Sequence, residues 1–329
     1  MEEKLLRSQK DYLSQMEHGA LLNPRIDSTF KALFTQPTPE SEAALHSFLE
    51  AAIEMKIKSY ELTQNDAPIL FLGQRGVSYD ITYELEDGRI AEIEMQSFNQ
   101  EYDYGKRAEY QVSRLETTYL AKGDDWENAP IVYQITVLNF NYTPKGKNAI
   151  NRFAMRTKDG VELSNSLNVI FIELPKVTSL EQTLESNSML ENWALFLKDA
   201  DNPTKQTLIH NLAEKEDGIM NAQKSLSNIS ANRDLWIAQY RQELAERDYR
   251  SGLNAARLAG LEQGLKKGMA QGLEKGMAQG LEKGMAQGLE KGMREKALET
   301  AKNALGMGLS VQQAAKISGL DEAELSNLI

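Results

Sequence analysis

The chain has 329 residues, no cysteine and a formal net charge of −11. The lack of cysteine excludes a disulfide scaffold, a thiol nucleophile and a cysteine zinc site, and it fits the reducing cytoplasm. The three histidines stand far apart, no apolar run approaches the ~18 residues of a membrane span, and the acidic first residues do not predict a signal peptide.

From about residue 20 to 175 the chain alternates helical and strand patterns, which predicts an α/β sandwich with a mixed sheet flanked by helices. Apolar residues at helical spacing mark the helices, and strictly alternating or β-branched runs mark the strands. The predicted helices are 40–57 and 101–121, and the predicted strands are 77–85, 90–96, 131–140 and 167–174.

The first two long strands form a hairpin whose register follows from its polarity. A three-residue loop, 86–88, places Gly88 in the left-handed conformation that such loops require. Ile81 then faces Ile93, and one face of the hairpin is apolar throughout. A two-residue Asp-Gly turn would set apolar against polar side chains, which sheets avoid. The three-residue loop is therefore predicted.

In this register Asp80 lies opposite Glu94, with Cβ atoms about 4.5–5.5 Å apart, and Glu92 and Gln96 share their face. Two carboxylates this close repel unless a cation binds between them. Oxygen ligands of this kind suit Mg²⁺ or Mn²⁺, which promote phosphodiester hydrolysis by activating water and offsetting charge. The alternative is that the acids decorate a solvated sheet face.

The spacing of Asp80, Glu94 and Gln96 resembles the PD-(D/E)XK nuclease signature, with glutamine where lysine is usual. The surrounding segments resemble the Rpn family of recombination-promoting nucleases, which are often labelled transposases. The segments that carry this resemblance, in chain order, are 23–34, 87–96, 106–126, 129–140, the glycine repeat described below, and 306–329.

The resemblance implies a bacterial, Mg²⁺- or Mn²⁺-dependent DNA endonuclease with a role in recombination or mobile-element biology. It implies that Asp80 and Glu94 bind the metal and that Gln96 stands where lysine usually orients the attacking water. A glutamine carries no charge to neutralise a developing anion, so Lys31 or Arg107 is the candidate source of that charge.

Several side chains have two interpretations. Asp27 is at N-cap spacing, with a place beside the metal site as the alternative. Lys31 is either a solvated helix lysine or an active-site contact, and Arg107 either clamps a phosphate or forms a surface ion pair. Glu92 is placed beside the metal ligands. The tryptophans predicted to be core or interface residues are Trp126, Trp193 and Trp236.

Near the C-terminus a glycine recurs every four residues from Gly260 to Gly292, and each is followed by Leu or Met. A period of four drifts by about 40° per step around an α-helix, so the glycines cannot form a straight stripe. Each interior glycine costs a helix ~1 kcal/mol. The segment is therefore either a helix that self-associates or a flexible spacer.

Four parts are predicted: a nuclease-like core at 1–176, a helical extension at 177–251, the glycine-patterned helix or spacer at 252–296, and a small helical element at 297–329. The last resembles half of a helix-turn-helix, but its second helix begins with acids, which favours a protein contact over DNA.

The predicted function is DNA cleavage by a homo-oligomer assembled through the tail. One rival is a catalytically weak DNA-binding or regulatory protein on a nuclease fold, which the neutral Gln96 and the acidic charge support. The other is an oligomeric scaffold in which the tail is the functional part.

Overall fold

The computed structural model describes residues 7–63, 80–99, 103–120, 122–143, 146 and 148–326. The chain forms two compact units, Met1–Asp248 and Tyr249–Ile329. The first unit contains a sheet with helices packed on it, and the second contains most of a long helix and two short ones. The finer division into four parts stays a prediction.

The sheet has the strand order β1-β2-β3-β4-β6-β5. Strands β3, β4 and β6 are parallel, whereas the other pairings are antiparallel. This mixed sheet confirms the predicted α/β architecture, although β1 and β5 were not foreseen. The strands are β1 Tyr60–Leu62, β2 Ile81–Leu85, β3 Ile90–Gln96, β4 Val132–Leu138, β5 Ile150–Ala154 and β6 Leu167–Glu173.

The β2–β3 hairpin has the predicted register. Ile81 pairs with Ile93 and Thr82 with Glu92. The three-residue loop closes with a 2.8 Å hydrogen bond from the Leu85 amide to the Arg89 carbonyl. Gly88 has a φ of +80°, which is the predicted left-handed conformation. The pairs predicted for residues 78 and 79 lie outside the described residues.

One face of the sheet is apolar and forms the main core with the helices of the first unit. Trp193 and Trp236 are completely buried in this core, as predicted, whereas Trp126 is 84% exposed, so a core position was wrong for that residue. The helices are α1 Arg7–Glu17, α2 Asp27–Thr35, α3 Pro39–Ile53, α4 Tyr104–Thr118, α5 Met189–Asp199, α6 Gln206–Lys215, α7 Asp217–Ser230 and α8 Arg233–Gly306.

The core depends on a close approach of α7 to α3. A Cβ atom at Gly218 would lie 2.0 Å from the Ser47 hydroxyl oxygen, so only glycine lets the two helices meet at this distance. The Ser47 hydroxyl also accepts a 3.3 Å hydrogen bond from the Trp193 indole, which satisfies the one polar atom of that buried ring.

The opposite face of the sheet is covered by α4 and divides into three zones. Apolar clusters lie at both ends, one around Val112 and Leu115 and the other around Tyr104 and Phe171. Between them the buried sheet residues are polar. Because buried polar groups need partners, this middle zone constrains which side chains α4 can present to the sheet.

In the second unit the glycine repeat is part of the continuous helix α8. The end of α8 packs through Ala301 and Ala304 against Ala314 of α9 and Leu325 of α10. These two helices span Val311–Ser318 and Glu322–Ser326. Within the described residues no helix is long and apolar enough to cross a membrane.

Glu173, at the end of β6, organises the edge of the sheet as a fully buried carboxylate. It accepts hydrogen bonds from the backbone and hydroxyl of Thr143, from the Tyr142 amide and from the Asn151 side chain, and Lys176 lies 2.8 Å away. Burial by itself raises the pKa of Glu173, but Lys176 and these hydrogen bonds outweigh burial and hold the pKa below its ordinary value.

We expect Glu173→Gln to lower the free energy of unfolding at pH 7 by about 2 kcal/mol, because the amide loses the ion pair and charge-assisted hydrogen bonds. Since the folded pKa is depressed, this stability is present above the unfolded value of about 4.3 and disappears as the pH falls through the folded value. Urea denaturation of both proteins at pH 7 and at about pH 3 measures the loss of stability and its disappearance in acid.

Glu181→Gln is the matched control, because Glu181 forms a more exposed pair with Lys205, and its removal should lower the free energy of unfolding much less than Glu173→Gln does. Equal losses in the two variants, or a Glu173→Gln loss that persists in acid, would contradict the role given to Glu173.

Candidate active site

The three residues of the predicted motif come together. Glu94 and Gln96 lie near the end of β3, and Asp80 immediately precedes β2. The Gln96 amide nitrogen donates to Glu94 Oε1 at 2.5 Å, and Asp80 Oδ2 accepts a hydrogen bond from the Met95 amide at 3.3 Å. Side chains alternate along β3, so Met95 points into the main core, whereas Glu94 and Gln96 point to the face that α4 covers.

Glu94 is 2% exposed and is held by the side chains of α4. The Tyr104 hydroxyl donates to its Oε2 at 2.9 Å, and the Gln111 amide approaches the same oxygen at 3.4 Å. Arg107 pairs with Oε1 at 2.5 Å. Burial raises the pKa of Glu94, Arg107 opposes the increase, and Asp80 adds to it, so the net direction is upward.

Helical spacing explains why α4 presents these side chains together. Tyr104, Arg107 and Gln111 are three and four residues apart, so they lie on one face. Asp103 caps this helix by accepting a hydrogen bond from the Gly105 amide. Arg107 was predicted to be either a phosphate clamp or a surface ion pair; its ion pair is with a buried acid and is therefore not confined to the surface.

Glu92 is completely buried between Thr82 of β2 and Gln134 of β4. Neither of its carboxyl oxygens has a hydrogen-bond partner among the described residues. Burial raises the pKa of Glu92 well above its ordinary value, and the nearby Glu94 and Asp80 raise it further. The alternative of a solvated acidic face is therefore wrong for Glu92 and Glu94, because α4 covers this part of the sheet.

Helix α2 provides two more charged groups, Asp27 in its first turn and Lys31 one turn later. The Lys31 ammonium lies 3.1 Å from Asp27 Oδ2 and 3.0 Å from Asp80 Oδ1, so it joins the two acids. Lys31 is thus not merely solvated. The N-cap prediction for Asp27 was also wrong: Ile26 is the N-cap and Asp27 is the first helical residue. Its carboxyl group turns to Lys31 instead.

Asp27 and Lys31 shift each other's pKa. Burial raises the pKa of Asp27 to about 6, with a further increase from Asp80 and a decrease from Lys31. For Lys31, burial lowers the pKa, but Asp80 and Asp27 outweigh burial and raise it overall. The site thus concentrates carboxyl groups around two cations, Lys31 and Arg107.

The donor set fits a hard divalent cation. Asp80 and Glu94 offer carboxylate oxygens, and Asp27 Oδ1 is buried with no hydrogen-bond partner among the described residues. In that part of the chain no three acidic or histidine side chains form a complete metal cage. Mg²⁺ usually keeps several waters and takes one or two carboxylates together with substrate phosphate, so an incomplete cage is compatible with it.

These groups surround a cavity of about 240 Å³. One of its walls comes from Gln242 on α8, a residue that sequence reasoning missed. No local pattern marks it, because it lies in a polar helical stretch far along the chain from the motif. The lining residues are Asp27, Asp80, Glu94, Met95, Gln96, Ser97, Phe98, Arg107 and Gln242.

Comparison with known proteins gives one match. The family model described as "PD-(D/E)XK nuclease family transposase" covers residues 24–256. No curated protein matches the chain, and no solved structure does. The matched residues are most of the chain and include every strand of the sheet and every residue that lines the cavity. The chain therefore belongs to the PD-(D/E)XK nuclease family transposases, the superfamily that its hairpin motif resembles.

Proposed function

We propose that the protein is a metal-dependent DNA endonuclease that hydrolyses phosphodiester bonds. The observation that carries the proposal is that Asp80, Glu94 and Gln96 line one cavity together with Asp27 and Arg107. Membership of a nuclease family supports the reaction class. We include in the proposal a role in recombination or mobile-element biology, and the word transposase in the family description supports the latter.

In this proposal Asp80 and Glu94 are the ligands of Mg²⁺ or Mn²⁺, Asp27 lines the same cavity, and Glu92 is buried two residues before Glu94 on β3. When bound, such a cation lowers the pKa of water and offsets charge on the phosphate. Asp80 is held by Lys31 and by the Met95 amide, and Glu94 by Tyr104, so both carboxyl groups are oriented before substrate arrives.

Gln96 positions water or phosphate through its amide. Its nitrogen donates to Glu94, while its oxygen lies 3.4 Å from an Arg107 nitrogen that donates to it. The guanidinium of Arg107 thus stands next to the neutral residue that replaces the usual lysine. We assign to Arg107 the positive charge that Gln96 lacks. A guanidinium can donate two parallel hydrogen bonds to two oxygens of one phosphate.

We expect the wild-type protein to nick supercoiled plasmid in Mg²⁺ or Mn²⁺ and not in EDTA. Asp80→Ala should reduce the rate by on the order of 100-fold or more, because a ligand of the cation is lost. Asp87→Ala is the matched control, since Asp87 is an acid in the loop of the same hairpin, away from the cavity. It should cleave like the wild type.

Identical cleavage by the Asp80→Ala and wild-type proteins would place the activity elsewhere. Absence of cleavage in every metal and DNA form, with DNA binding retained in EDTA, would favour the catalytically weak DNA-binding protein, for which the neutral Gln96 is the supporting observation.

Gln96 provides a second test. Gln96→Lys should increase the cleavage rate by roughly tenfold, because an ammonium near the reacting phosphate adds the missing positive charge. Gln96→Met, which keeps the length of the side chain but removes its amide, should decrease the rate. Single-turnover rates on one labelled duplex compare the three proteins, and a Gln96→Lys protein slower than the wild type would contradict the assignment.

We further propose that the tail assembles with a second copy of the chain. The Leu and Met residues that follow the glycines are about two thirds exposed, and a Cβ atom at each glycine of the repeat would meet nothing within 4 Å. Residues 252–329 contain 10 basic and 9 acidic side chains, so charge does not keep copies of this segment apart. A single exposed helix would leave this apolar surface in water.

Light scattering coupled to size exclusion is expected to show an oligomer for the wild type and smaller particles for the Leu265→Glu/Leu281→Glu double variant, because a charge at each position would be buried unpaired. Met307→Glu is the control, since Met307 is 82% exposed but lies outside the repeat. A monomeric wild type at all concentrations would contradict tail assembly.

A further inference from the structure

Helix α8 begins beside α2, and Gln239 fixes it there. Gln239 is 3% exposed. Its side-chain oxygen accepts hydrogen bonds from the Asn23 amide at 2.8 Å and the Thr29 hydroxyl at 2.9 Å. Its nitrogen donates to the Tyr12 hydroxyl at 2.7 Å and to Glu243 at 3.2 Å. Every hydrogen-bonding position of this amide is used within the protein.

Gln242 lies almost one turn further along α8 and uses only half of its amide in this way. Its oxygen accepts a hydrogen bond from the Ser28 backbone amide at 3.3 Å. Ser28 is in the first turn of α2, where backbone N–H groups have no partner inside the helix, and the N-cap residue Ile26 provides no side-chain acceptor. Gln242 therefore caps the helix that carries Asp27 and Lys31.

The nitrogen of the same amide donates to no residue in the described part of the chain, and the side chain forms a wall of the active-site cavity. Both cations of the site already pair with acids, Lys31 with Asp27 and Asp80 and Arg107 with Glu94, and Arg107 is the one that we assign to the phosphate. A neutral N–H donor at the rim of an acidic cavity fits an anionic oxygen of the substrate without adding to the charge that the carboxylates already hold.

We propose that Gln242 is a substrate-contact residue: its amide nitrogen donates to a phosphate oxygen of the DNA backbone while its oxygen caps α2. This inference rests on the proposed nuclease function and adds a contact from outside the motif. The family model continues to residue 256, so the start of α8, which contributes Gln242, lies within the matched residues.

The test separates the two halves of the amide. Gln242→Glu keeps an oxygen that accepts the Ser28 N–H but loses the donor. Gln242→Met loses both. We expect both variants to raise KM for a DNA duplex by about tenfold in Mg²⁺, as the loss of one hydrogen bond to a charged group implies. Only Gln242→Met should also lower the melting temperature.

Two controls complete the experiment. Gln239→Glu should lower the melting temperature without raising KM, because Gln239 does not line the cavity and the buried Trp236 still holds this part of α8 in the main core. Raising the salt concentration screens simple repulsion by the new carboxylate of Gln242→Glu but does not restore a lost hydrogen bond. The KM of Gln242→Glu should therefore stay above that of the wild type measured at the same salt concentration.

A wild type that cleaves while Gln242→Glu retains its KM would overturn the inference and leave the nuclease function intact, since Gln242 would then only cap α2. An increase in KM that is absent in Gln242→Met and disappears at high salt would also overturn it. A wild type that does not cleave at all would overturn the nuclease function and this inference together.

Discussion

The burial of one ionisable group, the Glu94 carboxyl, is the constraint on which the rest of this site depends. A carboxylate on a central strand loses most of its hydration, and that loss costs several kcal/mol unless protein groups compensate. The compensation comes from one helix face, where Tyr104, Gln111 and Arg107 approach its two oxygens. Helix α4 thus has to cover this side of the sheet, and its sequence has to be polar in the middle and apolar at both ends.

The second half of the site is assembled from segments distant in sequence. Helix α2 brings Asp27 and Lys31 to Asp80, and α8 supplies the acceptor that the start of α2 lacks. Each of these helices is held by the main core rather than by the cavity. The charged groups are therefore placed by packing that is independent of them, which lets the cavity concentrate acids without collapsing the fold.

The hairpin could be predicted in detail because its alternation leaves one register that keeps apolar side chains together, and Gly88 selects the loop. The role of Asp27 could not be predicted, because a capping pattern describes only neighbours along the chain, whereas in the fold Lys31 pairs with both Asp27 and the distant Asp80. Gln242 could not be predicted for the same reason, because the backbone amide that it caps belongs to Ser28, more than 200 residues earlier in the sequence. Short edge strands such as β5 leave little periodicity to detect.

The repeat in α8 has a consequence for any assembly built on it. Because the pattern of glycine, leucine and methionine returns every eight residues, sliding one helix along another by a repeat restores nearly the same contacts. An interface between two such helices therefore has many alignments of similar energy and no preferred one. A defined alignment has to come from the non-repetitive ends, and the alanine-rich cluster around Ala301 and Leu325 is the first place along the tail where the sequence stops repeating and the packing becomes unique.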